Sequence, residues 1–396
     1  MKVIVIGAGP SGLMSAISFA SQGYEVLVLE QNKSAGYKLL LTGHGKCNFT
    51  HLTSVDEFLK CVVRNNAFLK TALYTFSSQK CVEFFQNLGV DSYVVEERVY
   101  PKSNKAKDIL DALLNKCEEL GVKFLYNAKV IKCFNEERFV VSLEHNELEC
   151  DKLVVATGGK SYPQTGSNGI GYKIATEFGH TIVPIRSALC DIYLKDDFLK
   201  KLDGFTFEGA TLISKTNNAK RKLTGTVIFK DNRISGNVVR NMSSLINREE
   251  VKELELDFKN NVSEEELDHL LVQKFSANPN REISRTLTAF VPFIISDTIL
   301  SILKINKDLL CNAITKEMRK EMIRYLKHFP LHFLKFAPLE EAIVTSGGVD
   351  VKDINPKNME SKLVKDLYFV GEVLDVDAFV GGYSLQIAFA TSYIVK

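Results

Sequence analysis

The chain has 396 residues, 45% of them hydrophobic and 25% charged, which is enough for two or three domains around a large core. Its formal net charge of +2 gives no electrostatic ground for tight binding to nucleic acid or to a membrane surface, both of which call for a strong basic excess. Eight cysteines are scattered without a C-x-x-C pair, and no export signal precedes the strand that starts at Lys2, so a reducing cytoplasm is expected rather than a disulfide framework.

The first thirty residues are the most informative. Val3–Ile6 is a short apolar run, as expected of a parallel strand buried on both faces. Gly7-Ala8-Gly9-Pro10-Ser11-Gly12 follows at once, then a helical pattern to Gln22, a stop at Gly23, and a second apolar run, Val26–Leu29, ending in Glu30. This is a dinucleotide fingerprint. Gly7 permits the tight turn, Gly9 lets the backbone approach a pyrophosphate, and Gly12 lets helix and strand pack closely. The phosphates would lie on the helix N-terminus, and Glu30 would accept hydrogen bonds from the adenosine ribose, which disfavours a 2′-phosphate.

Residues 41–51 read LTGHGKCNFTH. His44, Cys47 and His51 have spacings that raise a metal site, although no second Cys/His cluster completes four ligands and none is expected. Lys46 beside Cys47 raises an activated thiol, with no resolving cysteine nearby in sequence. A glycine-rich cradle around a cofactor, with Cys47 as a small buried thiol, is the third reading.

Further on, Lys152–Gly159 is a buried strand running into Thr157-Gly158-Gly159. Leu189–Thr226 alternates apolar and polar residues with glycines at 204, 209 and 225, the pattern of antiparallel strands. NNAKRK, 217–222, reads as a solvated hairpin tip. A helix is expected at Asn237–Leu245 and a strand at Glu253–Phe258. The pair Ser263 and Glu266 is a capping box that starts a helix at Glu264, with helical periodicity continuing to about His328. The most apolar stretch, Leu287–Ile305, is broken by Pro292, Ser296, Asp297 and Lys304, so it reads as a helical core rather than a membrane span. Leu331–Phe336 is strand-like. The strand Tyr368–Val370 then delivers Gly371-Glu372, and Gly381-Gly382-Tyr383 opens a final helix through Ala390, whose N–H groups would meet a flavin's pyrimidine edge. One N-terminal fingerprint closed by a C-terminal strand–helix unit is the plan of FAD enzymes rather than of NAD dehydrogenases.

The runs IGAGPSGLMSA, LLLTGHGKCNFTH, VVATGGKSYPQTGSNGIGY, VTSGGVDVKDINPKNMESKL and LYFVGEVLDVDAFVGGYSLQIAFA resemble the BaiN-like, or aminoacetone-oxidase-type, family of bacterial NAD(P)/FAD-dependent oxidoreductases. The resemblance covers both ends of the chain and much of the first half. It implies an α/β fold: a glutathione-reductase-like FAD-binding Rossmann domain with an inserted β-barrel-like domain and a helical subdomain. The corresponding boundaries are 1–187 and 342–396 for the FAD-binding domain, 188–258 and 329–341 for the β-rich substrate domain, and 259–328 for the helical subdomain.

The resemblance also implies site residues. Gly7, Gly9, Pro10, Ser11, Gly12, Glu30 and Gln31 would hold the adenosine and pyrophosphate, and the backbone of Val130 would meet adenine. Lys38 would pair with phosphate or ribose. Thr42, Gly43, Gly45, Lys46, Cys47 and Asn48 would run past the flavin, with Asn48 offering its amide to a flavin carbonyl or to substrate. Thr157, Gly158, Gly159, Gly371, Gly382, Tyr383 and Leu385 would line the cofactor, and Glu372 and Asp375 would bond a ribityl hydroxyl. The sequence departs from the family at His44, commonly glycine, and at Lys46, commonly arginine, whose bidentate fork is lost. The family's T-H-x-G-I-S-G-P run appears as FKDNRISGNVVR, with Asp231 at the histidine position and Asn237 at the proline position; Arg233 and Arg240 are candidates to hold an anionic substrate.

The expected activity is hydride transfer through flavin N5 between a small organic substrate, or NAD(P)H as a transient donor, and a second acceptor. No Ser-His-Asp set or carboxylate pair stands out, so no catalytic residue is assigned. Three rivals remain: a tRNA-modifying flavoprotein, which would demand a basic face, a flavin-binding protein without turnover, and an NAD-only dehydrogenase.

Overall fold

Val3, Ile4 and Val5 have no solvent-exposed surface, because the strand Lys2–Ile6 lies in the middle of a parallel sheet with helices packed on it. Its neighbours are Glu25–Leu29 on one side and Lys152–Val155 on the other, with Lys123–Leu125 and Leu367–Phe369 beyond them. The computed structural model describes all 396 residues, and they form two units, Met1–Ala188 with Pro338–Lys396, and Leu189–Ala337.

In the first unit the helix Pro10–Ser21 starts immediately after the first strand, with Gly9 in an extended N-cap conformation and proline at the first helical position, where a missing N–H costs nothing. Nearly its whole circumference is buried, against the strands and against the last helix, Tyr383–Tyr393. Two small antiparallel sheets accompany the parallel one. Val130–Asn135, Phe139–Leu143 and Glu147–Cys150 form the first, and Thr50–His51, Arg98–Pro101 and Ser92–Val95 the second. Ile182–Ala188 pairs with Val344–Val349, so the chain leaves and re-enters this unit on adjacent strands.

The second unit is built on a seven-stranded antiparallel sheet. Its order is Phe329–Leu331, Val251–Asp257, Thr206–Thr216, Lys220–Lys230, Arg233–Ser235, Ile192–Leu194 and Phe333–Phe336. The first and last strands of that order are joined in the chain by His332 alone. The expected capping box is present: Ser263 Oγ accepts from Glu266 N–H and Glu266 Oε2 accepts from Ser263 N–H, starting the helix Glu264–Ser276. The helical periodicity resolves into Glu264–Ser276, Ile283–Leu287, Phe293–Ile302 and Lys316–Lys327, the apolar stretch being split at Pro292. No helix is long and apolar enough to cross a membrane. These helices and the sheet share one hydrophobic cluster, so they stabilise each other. The basic 217–222 run lies at the tip of the long hairpin, where Arg221 is held by Glu249 through bonds of 3.0 and 2.6 Å.

Candidate functional site

Gly7, Gly9 and Gly12 do three different things. A Cβ on Gly12 would stand 1.8 Å from the Gly7 carbonyl oxygen, and one on Gly7 would stand 2.6 Å from the Ala156 oxygen. Both glycines therefore permit close packing of turn, helix and neighbouring strand. A Cβ on Gly9 would meet nothing within 4 Å. That open space lies at the N-terminus of the helix Pro10–Ser21, where free N–H groups and the positive dipole end favour an anion.

At the end of the second strand Glu30 is buried. Its Oε2 accepts from Ala8 N–H at 2.9 Å, and its Oε1 accepts from the Asn32 N–H and side-chain amide at 2.9 and 2.8 Å. Three donors leave an ionised carboxylate at least one lone pair for a hydroxyl. Gln31 behaves otherwise than expected. Its amide donates to the Gly166 carbonyl and accepts from Asn168 at 2.9 Å, so it anchors the 162–169 loop instead of pointing at a ligand. Ala128 N–H donates to the Glu30 carbonyl at 2.9 Å, which brings the segment leading to Val130 beside that carboxylate; the Val130 side chain is itself buried in the core.

Lys38 also departs from expectation. Its ammonium lies 2.7 Å from Glu372 Oε2 and 2.7 Å from Ser161 Oγ, so its charge is already neutralised by an acid rather than held for a phosphate. Glu372 Oε1 accepts from Thr345 N–H at 2.9 Å and Ser161 Oγ at 3.1 Å. Gly159 packs onto this group so closely that a Cβ there would stand 2.3 Å from Thr345 Oγ1. Asp375, expected at a ribityl hydroxyl, is instead a buried clamp: its carboxylate accepts from Gly347 N–H at 3.1 Å and from the Asn65 amide at 3.3 Å. Gly371 fits against Ser11, with a would-be Cβ only 2.0 Å from that hydroxyl oxygen, and so joins the C-terminal unit to the first helix. Thr157 Oγ1, on the neighbouring chain end, is buried without a hydrogen-bond partner.

The run 42–48 folds into a tight turn. Gly43, His44, Gly45 and Cys47 all have φ between 55° and 86°, so two non-glycine residues occupy the left-handed region, which costs each about 1 kcal/mol or more. Gly43, His44 and Lys46 are exposed, Thr42 and Gly45 half-buried, and Cys47 fully buried. Burial pushes the Cys47 thiol up to about 12, against a weaker lowering by Thr42, so the activated-thiol reading fails. The metal trio does not converge. His44 faces solvent, whereas the His51 ring lies 3.0 Å from the Gly381 carbonyl oxygen and stacks on Tyr383 with centroids 4.6 Å apart.

Asn48 and Gly382 meet. A Cβ on Gly382 would be 2.7 Å from Asn48 Oδ1, and that oxygen is buried without a partner. It therefore presents an acceptor at the N-terminus of the helix Tyr383–Tyr393, whose first N–H groups are donors. Tyr383 itself is packed rather than presented, with His51 on its face and Phe58 at its edge, and Leu385 is half-buried against the core. Sequence reasoning missed Ser161, Thr345 and Asn32; Thr345 Oγ1 accepts from the N–H groups of Lys160 and Ser161 across 185 and 184 residues, a pairing that no local pattern announces. In the other unit, Arg233 and Arg240 stand 3.9 and 3.5 Å from Asp191, so both are drawn into one ion cluster.

The open space over Gly9, the buried Glu30 and the partnerless Asn48 oxygen at a helix start fit a dinucleotide carrying a flavin. A family model described as HI0933-like protein Rossmann domain matches residues 1–396. The ribosomal RNA dihydrouridine synthase of Haemophilus influenzae is 30% identical to this chain, over 98% of it and 96% of the relative. The 3-dehydro-bile acid delta(4,6)-reductase of Clostridium scindens is 28% identical, over 99% of this chain and 97% of the relative. Among solved structures, the open conformation of a flavocytochrome c3 fumarate reductase superposes with a TM-score of 0.53 at 17% identity, covering 100% of this chain and 77% of that one, a likeness of fold.

Proposed function

The chain belongs to the HI0933-like Rossmann-domain family of FAD-dependent oxidoreductases, and from that premise we propose that it reduces a carbon–carbon double bond conjugated to a carbonyl group. These relatives bear names with different substrates, a uridine in ribosomal RNA and a 3-dehydro-bile acid. Both names describe the saturation of a double bond conjugated to a carbonyl, and that shared chemistry supports the reading.

The observation that carries the site is the position of the partnerless Asn48 Oδ1 beside the start of the helix Tyr383–Tyr393. An acceptor beside several N–H donors complements the alternating N–H and C=O groups of a flavin's pyrimidine ring. A helix start there also favours negative charge on that ring. The Gly7–Gly12 turn would hold the pyrophosphate, Glu30 the adenosine ribose, the Val130 backbone the adenine, and Glu372, oriented by Lys38, a ribityl hydroxyl. When bound, FAD would supply a two-electron carrier able to pass hydride from a donor such as NAD(P)H to one carbon of the double bond, with a proton from solvent completing the other carbon. Lys38 and Ser161 hold the Glu372 carboxylate in place, and buried Cys47 contributes packing and no nucleophile. The eight free thiols support a reducing, cytoplasmic setting.

Anaerobic titration tests the reading. The FAD-loaded protein is photoreduced, then mixed with 2-cyclohexenone, with uridine-containing RNA, or with an isolated alkene. Return of the yellow absorbance with a conjugated acceptor but not with the isolated alkene is expected. Re-oxidation by oxygen alone would remove the double-bond reading and leave an oxidase.

A further inference from the structure

The turn of residues 42–47 carries two side chains without partners. Its neck is closed: Thr42 Oγ1 donates to the Leu39 carbonyl at 2.6 Å, Cys47 N–H donates to the Thr42 carbonyl at 3.0 Å, and a Cβ on Gly43 would stand 3.3 Å from Asn48 N. Its tip carries His44 and Lys46, both exposed, and neither side chain makes a hydrogen bond or an ion pair. His44 is also strained, with φ 55° and ψ 41° in the left-handed region that glycine takes freely. No contact of the imidazole offsets that cost. Strain held without a structural return points to a functional position.

Asn48 lies four residues beyond His44 and two beyond Lys46. Because Gly43 closes onto Asn48 and consecutive Cα atoms are about 3.8 Å apart, the His44 Cα lies within about 10 Å of Asn48. Both side chains can then reach a substrate lying on the ring that Asn48 would hold. They are also the chemistry-bearing groups of the turn. Cys47 is buried with its thiol pushed up to about 12, and Asn48 does not titrate, whereas histidine is the side chain that ordinarily exchanges protons near neutral pH.

We propose that His44 gives a proton to the carbon next to the carbonyl of the conjugated acceptor, while Lys46 holds the carbonyl oxygen. This rests on the double-bond reductase reading and deepens it. Hydride adds with its electron pair to the carbon farther from the carbonyl. The electrons of the double bond shift toward the carbonyl, and negative charge builds on an oxygen beside the Lys46 ammonium. The imidazolium N–H bond then breaks, its proton forms the new C–H bond at the nearer carbon, and solvent reprotonates the imidazole. A single oxyanion suits lysine, a compact point charge without the arginine fork. With glycine at position 44 the proton must come from elsewhere, so the assignment is particular to this chain.

His44→Gly is the informative variant, because glycine accepts the left-handed turn and the fold should survive. The FAD-loaded full chain is photoreduced and mixed with 2-cyclohexenone without oxygen in a stopped-flow cell. His44→Gly should regain the yellow absorbance roughly 100-fold more slowly than the parent, with Tm and FAD affinity kept. Added imidazole should restore much of that rate in His44→Gly, and should leave the parent unchanged. His44→Asn, which also tolerates left-handed backbone, should be as slow. The Lys46 role is read without turnover. Titrated into the oxidised protein, 4-chlorophenol should bind as a phenolate with a long-wavelength band, and roughly tenfold more weakly in Lys46→Gln. A folded His44→Gly as fast as the parent, or slow without rescue by imidazole, overturns the acid assignment. Equal phenolate binding by parent and Lys46→Gln, or none by the parent, overturns the oxyanion assignment. A parent that no conjugated acceptor re-oxidises removes the reductase reading and this proposal together; a fast parent beside an equally fast His44→Gly removes only the proposal.

Discussion

The ammonium of Lys38 lies 2.7 Å from the carboxylate of Glu372, 334 residues away in the chain, with side-chain exposures of 25% and 22%. The pair ties the segment after the second strand to the segment after the last one, and Ser161 and Thr345 complete the shell around the acid. Removing the cation leaves a half-buried carboxylate with two neutral donors. Lys38→Met should therefore cost about 1 kcal/mol of stability, a fall of roughly 2–4 °C in Tm, and should weaken FAD binding several-fold. Thermal melts and quenching of FAD fluorescence measure the two effects. Unchanged values for both would make the pair a surface contact without a role in orienting Glu372.

The three fingerprint glycines predict opposite outcomes for the same substitution. Gly12→Ala puts a methyl carbon 1.8 Å from a backbone oxygen, which no side-chain motion relieves, so the chain should misfold or melt far below the parent. Gly9→Ala meets no protein atom and needs no left-handed backbone, since φ there is −81°. The apo protein should keep its Tm, or gain a few tenths of a kcal/mol, while FAD affinity drops because the methyl occupies the open space. Retention of normal FAD binding by Gly9→Ala would move the pyrophosphate elsewhere.

Which parts of this were legible in the sequence follows from the range of the forces involved. A strand buried on both faces reads as an apolar run, so Val3–Ile6, Leu367–Phe369 and the three apolar residues that follow Lys152 announce themselves, and a capping box such as Ser263 with Glu266 is complete within four residues. The glycines of the fingerprint are equally local. The roles of Lys38, Asp375 and Gln31 were not legible, because each is decided by a partner far away in the chain: Glu372, Gly347 and Gly166. Nor were His44 and Cys47, which take left-handed backbone conformations that composition would reserve for glycine.

Cys47 offers a chemical test of the loop. With its thiol pushed up to about 12 by burial, only about one molecule in ten thousand carries the thiolate at pH 8. Iodoacetamide should leave Cys47 unmodified in the native protein, as read by mass spectrometry of peptides, and flavin reduction should show no ionisation attributable to it between pH 6 and 9. Cys47→Ala should lose about 1–2 kcal/mol of stability through the small cavity and retain its chemistry. Rapid native alkylation of Cys47 would mean that the loop opens, and abolished flavin reduction in a folded Cys47→Ala would restore the nucleophile.

His180 supplies the pH dependence of stability. Its ring is buried, with Nδ1 placed to donate to the Ala175 carbonyl at 3.2 Å, Nε2 placed to accept from Ser361 Oγ at 2.8 Å, and Phe369 edge-on at 4.7 Å. Burial holds its pKa below the ordinary histidine value, outweighing the Ala175 hydrogen bond and the charge of Asp353. Because the folded state resists protonation while the unfolded chain takes up the proton near pH 6.5, the unfolded state binds more protons in acid. The stability is thus fully present above about pH 6.5 and is lost as pH falls from there through the lowered folded value. Urea midpoints should drop between pH 7.5 and 5.5 in the parent, and His180→Gln, although less stable at pH 7.5, should show a shallower fall. Parallel pH profiles for parent and variant would assign the acid sensitivity to other groups.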